Sequence, residues 1–171
     1  MKTSPAGIHL IKYFEGVKYR PYMCSGNVWT VGCGHALYPR QLAMNLADRK
    51  EFKLKQEDNR QWSEEEVNGL LTYDLQRFEL GVLRLLGTLQ PTQSEFDALV
   101  SFSFNLGLGT FQRSTVRSAF IRGDKTRAGE VLLKYCRAGG RVLKGLQRRR
   151  LAEHAMFMSC LLYTSPSPRD S

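Results

Sequence analysis

The chain has 171 residues, of which 42% are hydrophobic and 24% charged, proportions typical of a folded globular domain and not of a disordered or collagen-like chain. The 25 Lys and Arg residues outnumber the 16 Asp and Glu residues, and the net charge of +9 favours an anionic partner: nucleic acid, anionic lipid or an acidic cell wall. The four cysteines lack the CxxC spacing of a zinc site and are too sparse for a disulfide scaffold.

The first predicted element is a short helix over residues 5 to 15. Ser4 followed by Pro5 is a typical helix start, because the serine hydroxyl caps a free amide and proline fits the first turn. Hydrophobic residues then recur at helical spacing, and Gly16 is expected to end the helix.

Residues 17 to 34 predict a small antiparallel hairpin. Strand-forming aromatic and β-branched residues flank the turn signal Ser25-Gly26-Asn27. The following stretch, residues 36 to 61, has no clear period. We interpret its charge-rich part, from Arg49 to Arg60, as a solvated loop or surface helix without a chemical role.

The rest of the chain is helical in pattern. Capping boxes at Ser63–Glu66 and Thr92–Glu95 open two helices, and Gly107 and Gly109 are expected to end the second. Residues 148 to 158 predict a last basic, amphipathic helix. One hairpin followed by many helices indicates an α+β fold with the two kinds of element segregated along the chain.

The candidate chemistry lies between Glu15 and His35. The segment reads Glu15, eight residues, Cys24, five residues and Thr30, and then Gly32-Cys33-Gly34-His35. Cleavage of a glycosidic bond requires a proton donor for the leaving oxygen and a second group that handles water or the sugar cation. The aromatic residues Phe14, Tyr19 and Trp29 are expected to enclose Glu15 and keep it protonated near neutral pH.

This spacing resembles the signature of the phage-type lysozymes, the muramidase endolysins of tailed bacteriophages (glycoside hydrolase family 24). Residues 98–107 resemble the internal helix of that family. Residues 139–146, with Arg148-Arg149 and Glu153, resemble its C-terminal motif. Three ordered motifs spread over about residues 7 to 159 are far more specific than the first motif alone.

The resemblance implies a lysozyme-like α+β fold that is mostly helical. A small N-terminal lobe would hold the β-hairpin, and a larger helical C-terminal lobe would complete a cleft. The implied activity is hydrolysis of the β-1,4 linkage between N-acetylmuramic acid and N-acetylglucosamine in bacterial peptidoglycan, for host cell lysis. We expect no cofactor or metal, no nucleic-acid partner, and a monomer.

By resemblance, Glu15 is the general acid and Thr30 helps to hold the attacking water. Cys24 occupies a position where the family has Asp or Cys, and its role as a positioning group, a partial base or a nucleophile stays open. The plainer interpretations are a solvated acid for Glu15, a small buried hydrophobe for Cys24 and a strand former for Thr30.

Five further residues have expected roles. His35 is expected to pair with Asp74 to hold the fold, in preference to a role in proton transfer. Phe104, Asn105 and Ser114 are expected to bind substrate, and an Asn amide suits the N-acetyl and hydroxyl groups of the sugars. Helix packing for Phe104, a C-terminal cap for Asn105 and an N-cap for Ser114 are the structural alternatives.

No secretory signal is visible at the N-terminus, so we expect synthesis in the bacterial host cytoplasm, export by a holin, and action on the cell wall in the periplasm. The lysozyme domain is expected over residues 1–160. Residues 161–171 resemble translated sequencing-adapter read-through and are expected to be a non-native or disordered tail. A Cys24–Cys33 disulfide stays open.

Two other functions remain open at this point. A peptidoglycan-binding or membrane-disrupting protein without catalysis would use the basic last helix, since such helices can press on anionic membranes. A nucleic-acid binder is suggested by charge alone, without a recognition motif.

Overall fold

The computed structural model describes the backbone of residues 1–162 and the side chains of residues 1–159. The predicted tail therefore lies outside the described residues from residue 163 onward. Within the described part of the chain, no helix is long and apolar enough to cross a membrane.

Most of the described chain is helical. The helices are α1 (Pro5–Glu15), α2 (Leu46–Glu51), α3 (Glu64–Leu86), α4 (Gln93–Leu106), α5 (Leu108–Arg113), α6 (Thr115–Ile121), α7 (Lys125–Leu132) and α8 (Lys144–Leu162). Short 3₁₀ turns occur at Pro39–Ala43 and Gln56–Asp58, and the strands are β1 (Lys18–Met23), β2 (Trp29–Gly32), β3 (His35–Ala36), β4 (Arg137–Ala138) and β5 (Arg141–Val142).

The chain divides into two compact units. The smaller unit, Lys12–Asp74, contains the three-stranded antiparallel sheet in the order β1-β2-β3. Tyr22 lies opposite Thr30 in the first pair of strands, and Val31 lies opposite His35 in the second. This confirms the predicted hairpin and adds a short third strand.

The larger unit comprises Met1–Ile11 and the chain from Leu75 onward. Its central helix is α4, in which every residue from Glu95 to Ser103 is buried. A helix buried on all sides must be surrounded by other elements, and α4 packs chiefly against α8. Its capping box is formed as predicted: Thr92 Oγ1 accepts from the Glu95 amide, and the Glu95 carboxylate accepts from the Thr92 amide.

Local signals located most helix ends. Helix α1 has the predicted bounds, and the Ser4 hydroxyl accepts from the Gly7 amide at its start. Gly107, with φ of +93°, ends α4 as expected, but the prediction for Gly109 was wrong because this residue lies inside α5.

The last helix differs from the prediction. Helix α8 begins at Lys144 and ends at Leu162, so it is longer at both ends. Its basic residues do not form one solvated face, because Arg149 and Arg150 are buried. Both arginines contact the buried carboxylate of Glu153 on the same helix. Arg149 precedes Glu153 by four residues and Arg150 precedes it by three, which are the spacings that bring side chains of one helix together.

Candidate active site

Glu15 is the last residue of α1 and stands next to Gly16, whose φ of +74° turns the chain toward β1. The side chain of Glu15 is exposed, so the expected apolar enclosure was wrong. The ring of Trp29, one of the aromatic residues expected to enclose it, is held elsewhere: its Nε1 donates to the carbonyl of Phe52 at 2.9 Å.

Cys24 lies directly after β1, at the beginning of the hairpin turn. Its amide donates to the carbonyl of Val28 at 3.1 Å, and the amide of Asn27 donates back to the Cys24 carbonyl at 2.9 Å. Asn27 has φ of +57°, a conformation that asparagine tolerates better than most residues. The tight turn predicted from Ser25-Gly26-Asn27 is thereby confirmed.

The environment of the Cys24 thiol favours its ionised form. Burial alone would raise the pKa of this half-buried thiol, but hydrogen bonds from the Val28 backbone, the Thr30 hydroxyl and the Gly26 backbone outweigh burial and lower it. Hydrogen bonds donated to a thiolate stabilise the charge that deprotonation creates. Cys24 is therefore more acidic than an ordinary cysteine.

Thr30 is buried on β2, and its hydroxyl lies between the Cys24 thiol and the backbone of the hairpin turn. Its Oγ1 donates to the Val28 carbonyl at 2.9 Å and also lies within hydrogen-bonding reach of the Cys24 thiol. A hydroxyl carries one proton and donates to one acceptor at a time. Thr30 can accept from the neutral thiol while it donates to Val28, and it can donate to the sulfur once the thiol is ionised.

Tyr22 is a member of this group that the sequence reasoning missed. It lies opposite Thr30 in the β1–β2 pair, so the two side chains share one face of the sheet. Burial raises the pKa of the Tyr22 phenol, and the negative charges of Cys24, Glu15 and Cys33 raise it further. Tyr22 is therefore close enough to both Glu15 and Cys24 to respond to their charges. The sequence offered one signal for it: residues two positions apart on a strand share a face, and Tyr22 precedes Cys24 by two.

His35 and Asp74 are in contact. The His35 Nδ1 lies 2.8 Å from the Asp74 Oδ2, and the contact joins β3 to α3. This is the pairing that the family resemblance implies. That the pair holds the fold and takes no part in proton transfer stays a prediction.

Two of the expected substrate-binding residues lie at the end of α4, in the larger unit. The half-buried ring of Phe104 packs edge-on against Phe78, with ring centres 5.1 Å apart. The Oδ1 atom of Asn105 accepts from Arg150 Nη2 at 2.8 Å, and its Nδ2 group is a hydrogen-bond donor. Their roles toward substrate stay predictions.

Ser114, the third expected substrate-binding residue, is buried and caps α6. Its Oγ accepts from the Arg117 amide at 3.0 Å and donates to the Phe111 carbonyl at 2.7 Å. Both contacts serve the helix start, so the geometry favours the structural alternative. A contact with substrate stays a prediction.

The two cysteines of the hairpin do not form a disulfide. Cys24, Cys33 and Cys136 are free thiols. Cys24 pairs with Val28, while Cys33 comes five residues later, beyond the opposite end of β2. Five residues of extended strand span about 16 Å, whereas a disulfide requires Cα atoms within about 7 Å.

Gln41, in the stretch from residue 36 to residue 61 that has no clear period, contacts the turn that carries Cys24. It is fully buried, at 0% exposure. Its Oε1 accepts from the Trp29 amide at 3.0 Å, and its Nε2 donates to the Asn27 carbonyl at 3.4 Å.

Arg49 holds the same region from the end of α2. Its Nε donates to the carbonyls of Gln41 and Met44, each at 3.0 Å. Its Nη2 donates to the carbonyl of Leu42 at 2.7 Å, and its Nη1 donates to the carbonyl of Gly26 at 3.2 Å. Arg49 lies on a surface helix as expected, since α2 has no buried residue, and its guanidinium in addition holds the hairpin turn.

Comparison with known proteins gives the same fold and the same family. The chain matches the phage lysozyme family over residues 12–153. It is 36% identical over 164 residues to an endolysin of Bacillus phage B103, with 93% of this chain and 55% of that protein covered. The chain thus spans little more than half the length of that relative.

Two solved structures are similar throughout. The muramidase domain of SpmX from Asticaccaulis excentricus is 30% identical, with a TM-score of 0.73 and coverage of 96% of this chain and 99% of that one. A variant of P22 lysozyme is 27% identical, with a TM-score of 0.75 and coverage of 92% and 99%. The expected lysozyme-like α+β fold is confirmed, and the chain belongs to the phage lysozyme family.

Proposed function

We propose that this chain hydrolyses the β-1,4 linkage between N-acetylmuramic acid and N-acetylglucosamine in bacterial peptidoglycan, and that it does so for host cell lysis. Its family membership supports the proposal, as do a relative described as an endolysin and a similar structure described as a muramidase domain. The observation that carries it is the match to the phage lysozyme family over residues 12–153, a span that contains Glu15, Cys24 and Thr30.

Glu15 is proposed to donate its proton to the leaving glycosidic oxygen. Its exposed position at the end of α1 leaves it accessible to a polymeric substrate. Protonation of the leaving group lets the bond break with positive charge developing on the sugar ring. General acid catalysis of this kind contributes about 10² to 10⁴-fold to the rate.

Cys24 and Thr30 are proposed to act on the attacking water or on the sugar ring. The lowered pKa of the Cys24 thiol supports a chemical role over simple packing. As a base, the thiolate would take a proton from a water molecule held with the help of Thr30. As a nucleophile, it would attack the anomeric carbon and displace the leaving oxygen, which Glu15 protonates, and water would then hydrolyse the glycosyl–sulfur bond and regenerate the thiol. The first role inverts and the second retains the anomeric configuration.

Substrate contacts in the larger unit are proposed for Phe104 and Asn105. The Asn105 amide group suits the acetyl oxygen of an N-acetyl sugar, because Nδ2 is a donor. A substrate contact of Ser114 has less support. Its hydroxyl already donates to the Phe111 carbonyl at the end of α5 and accepts from the Arg117 amide at the start of α6.

The proposed setting follows from the activity. We propose that the chain is a monomer made in the host cytoplasm and released by a holin to reach the wall in the periplasm. The competing proposal of a membrane-disrupting last helix loses its main support, because Arg149 and Arg150 are buried and contact Glu153. A nucleic-acid partner is supported by charge alone.

The test is the release of reducing ends from purified peptidoglycan by the wild type and by Glu15→Gln. The substitution keeps the shape and removes the proton, so we expect a loss of about 10² to 10⁴-fold. Glu51→Gln is a matched control, because Glu51 is also an exposed glutamate at the last position of a helix. Activity of Glu15→Gln within about twofold of wild type, where general acid catalysis requires far more, would refute the assignment.

A further inference from the structure

The hairpin turn presents different backbone groups on its two edges. On one edge, the Val28 carbonyl accepts from the Cys24 amide at 3.1 Å, and the Cys24 sulfur lies back over the turn, 3.7 Å from the position that a Cβ on Gly26 would take. On the other edge, the Asn27 carbonyl and the Trp29 amide both meet the side-chain amide of Gln41. Cys24 therefore holds Val28 on one edge, while Gln41 holds Asn27 and Trp29 on the other.

The side chain of Gln41 acts as a neighbouring strand would. A side-chain amide offers one carbonyl acceptor and one NH₂ donor, the same pair that a paired strand offers to an edge. Gln41 uses the acceptor on Trp29 and the donor on Asn27. Because Gln41 is fully buried, water cannot replace these bonds if they are removed.

One peptide unit connects Gln41 to the thiol. The unit between Asn27 and Val28 is planar, and in a trans peptide the C=O and N–H groups point in opposite directions. Its carbonyl meets Gln41 Nε2, so its N–H points to the opposite edge, on which Cys24 lies. Fixing the orientation of the carbonyl therefore fixes the direction of the N–H.

We propose that Gln41 is a positioning residue for the Cys24 thiol: it holds the Asn27–Val28 peptide so that the Val28 N–H is directed at the sulfur. Arg49 supports the arrangement, because its guanidinium holds both the Gln41 carbonyl and the Gly26 carbonyl of the same turn. The consequence for turnover rests on the proposed function, whereas the consequence for thiol chemistry does not.

Charged and titratable groups near the turn could also change the pKa of the Cys24 thiol. Tyr22 on β1 is near the thiol, and Glu15 on α1 acts on the same phenol. Arg49 meets the turn through the Gly26 carbonyl. The causes that lower the pKa of Cys24 are hydrogen bonds, with the Val28 backbone the largest among them. The loss of that bond is therefore expected to appear directly in the titration of the thiol.

The experiment measures the rate of alkylation of Cys24 by iodoacetamide as a function of pH, with mass spectrometry of the Cys24 and Cys136 peptides. Gln41→Met keeps most of the volume and removes both hydrogen bonds. We expect the midpoint for Cys24 to rise by about one pH unit, so that alkylation below the midpoint slows roughly tenfold. Cys136, in the larger unit, provides an internal reference and should keep its midpoint.

Ser63→Ala is the matched control. Ser63 belongs to the same unit and caps α3 by accepting from the Glu66 amide, so its removal costs stability at a different helix from the one that carries Arg49. A folded Gln41→Met protein with an unchanged Cys24 profile would overturn the proposal. An equal rise at Cys136, or an equal rise in Ser63→Ala, would also overturn it, because either result indicates general loosening.

Arg49→Lys keeps the test decisive if Gln41→Met does not fold. Lysine keeps the charge but loses the forked geometry that reaches several carbonyls. A smaller rise in the Cys24 midpoint supports the proposal, and an unchanged midpoint in the folded variant overturns it. Alkylation requires no peptidoglycan, so this result is independent of whether Glu15→Gln loses activity.

Discussion

Both units of the molecule bury polar side chains, but the main partners of these side chains differ. In the larger unit, Arg149, Arg150 and Glu153 are buried together on α8, and both arginines donate hydrogen bonds to Glu153 Oε1. In the smaller unit, Gln41 is equally buried but neutral, and its partners are backbone groups of a turn. One arrangement is built from side chains on a regular helix, and the other from an irregular loop against a hairpin.

The difference shows how each kind of element can be held in place. A helix satisfies its own backbone, so the contacts that fix α8 against α4 come from side chains such as Glu153, which accepts from Ser101 at 2.7 Å. A turn leaves backbone groups without internal partners, and a side-chain amide can supply them. The catalytic candidates Cys24 and Thr30 lie at the hairpin turn, whose backbone is held by the side-chain amide of Gln41.

The largest expected effect comes from breaking the buried charges. Glu153 Oε1 lies 3.2 Å from Arg149 Nε, and Oε2 lies 2.7 Å from Arg150 Nε. Glu153→Gln leaves buried cations without this anion, so we expect a loss of about 3 to 5 kcal/mol in the free energy of unfolding. Denaturation in urea at neutral pH measures it.

The matched control for that substitution is Glu130→Gln. Glu130 is exposed and lies 3.8 Å from Arg127, also at a spacing of three residues. An exposed pair of this kind contributes less than about 1 kcal/mol. Similar losses for the two variants would contradict the account of the buried cluster.

A smaller effect is expected at the His35–Asp74 contact in the other unit. The two side chains are partly exposed and 2.8 Å apart. A double-mutant cycle of His35→Asn and Asp74→Asn should give a coupling of about 1 kcal/mol in the free energy of unfolding. Additive losses would mean that the contact does not stabilise the fold.

The smallest effect concerns Glu66, an exposed residue in the capping box of α3. Hydrogen bonds from both Nη atoms of Arg60, with a further bond from the Ser63 amide, lower the pKa of Glu66 to about 2. A lowered folded-state pKa means that the stabilisation is present above the ordinary pKa of 4.5 and is lost as pH falls toward about 2.

Thermal unfolding across pH tests this for the wild type and Glu66→Gln. Glutamine can still accept from the Ser63 amide, so the variant isolates the pair with Arg60. We expect a slightly higher midpoint for the wild type above about pH 4.5, and no difference near pH 2. A difference that stays constant with pH would contradict the assignment.

Several local signals were sufficient, although the expected helix end at Gly109 was wrong. The Ser4 start of α1, the Thr92 capping box and the Ser25-Gly26-Asn27 turn were all predicted, because each depends on residues within a few positions of one another. The contact between His35 and Asp74, 39 residues apart, came only from the family resemblance.

The contacts of Gln41 and Arg49 left no such signal. Gln41 reaches residues 12 and 14 positions earlier, and Arg49 reaches Gly26, 23 positions earlier. The intervening chain has no helical or strand period, so nothing in the sequence fixes which side chain meets which backbone group. A polar residue that is fully buried on such a loop can be identified only in the fold.

If Glu15 is the general acid of a muramidase, each cut leaves N-acetylmuramic acid at the new reducing end. Purified peptidoglycan is digested and reduced with borohydride, and the reduced sugars are identified by mass spectrometry. We expect reduced N-acetylmuramic acid as the new end with wild type and almost none with Glu15→Gln. New ends of N-acetylglucosamine, or equal release by Glu15→Gln, would refute the proposed function.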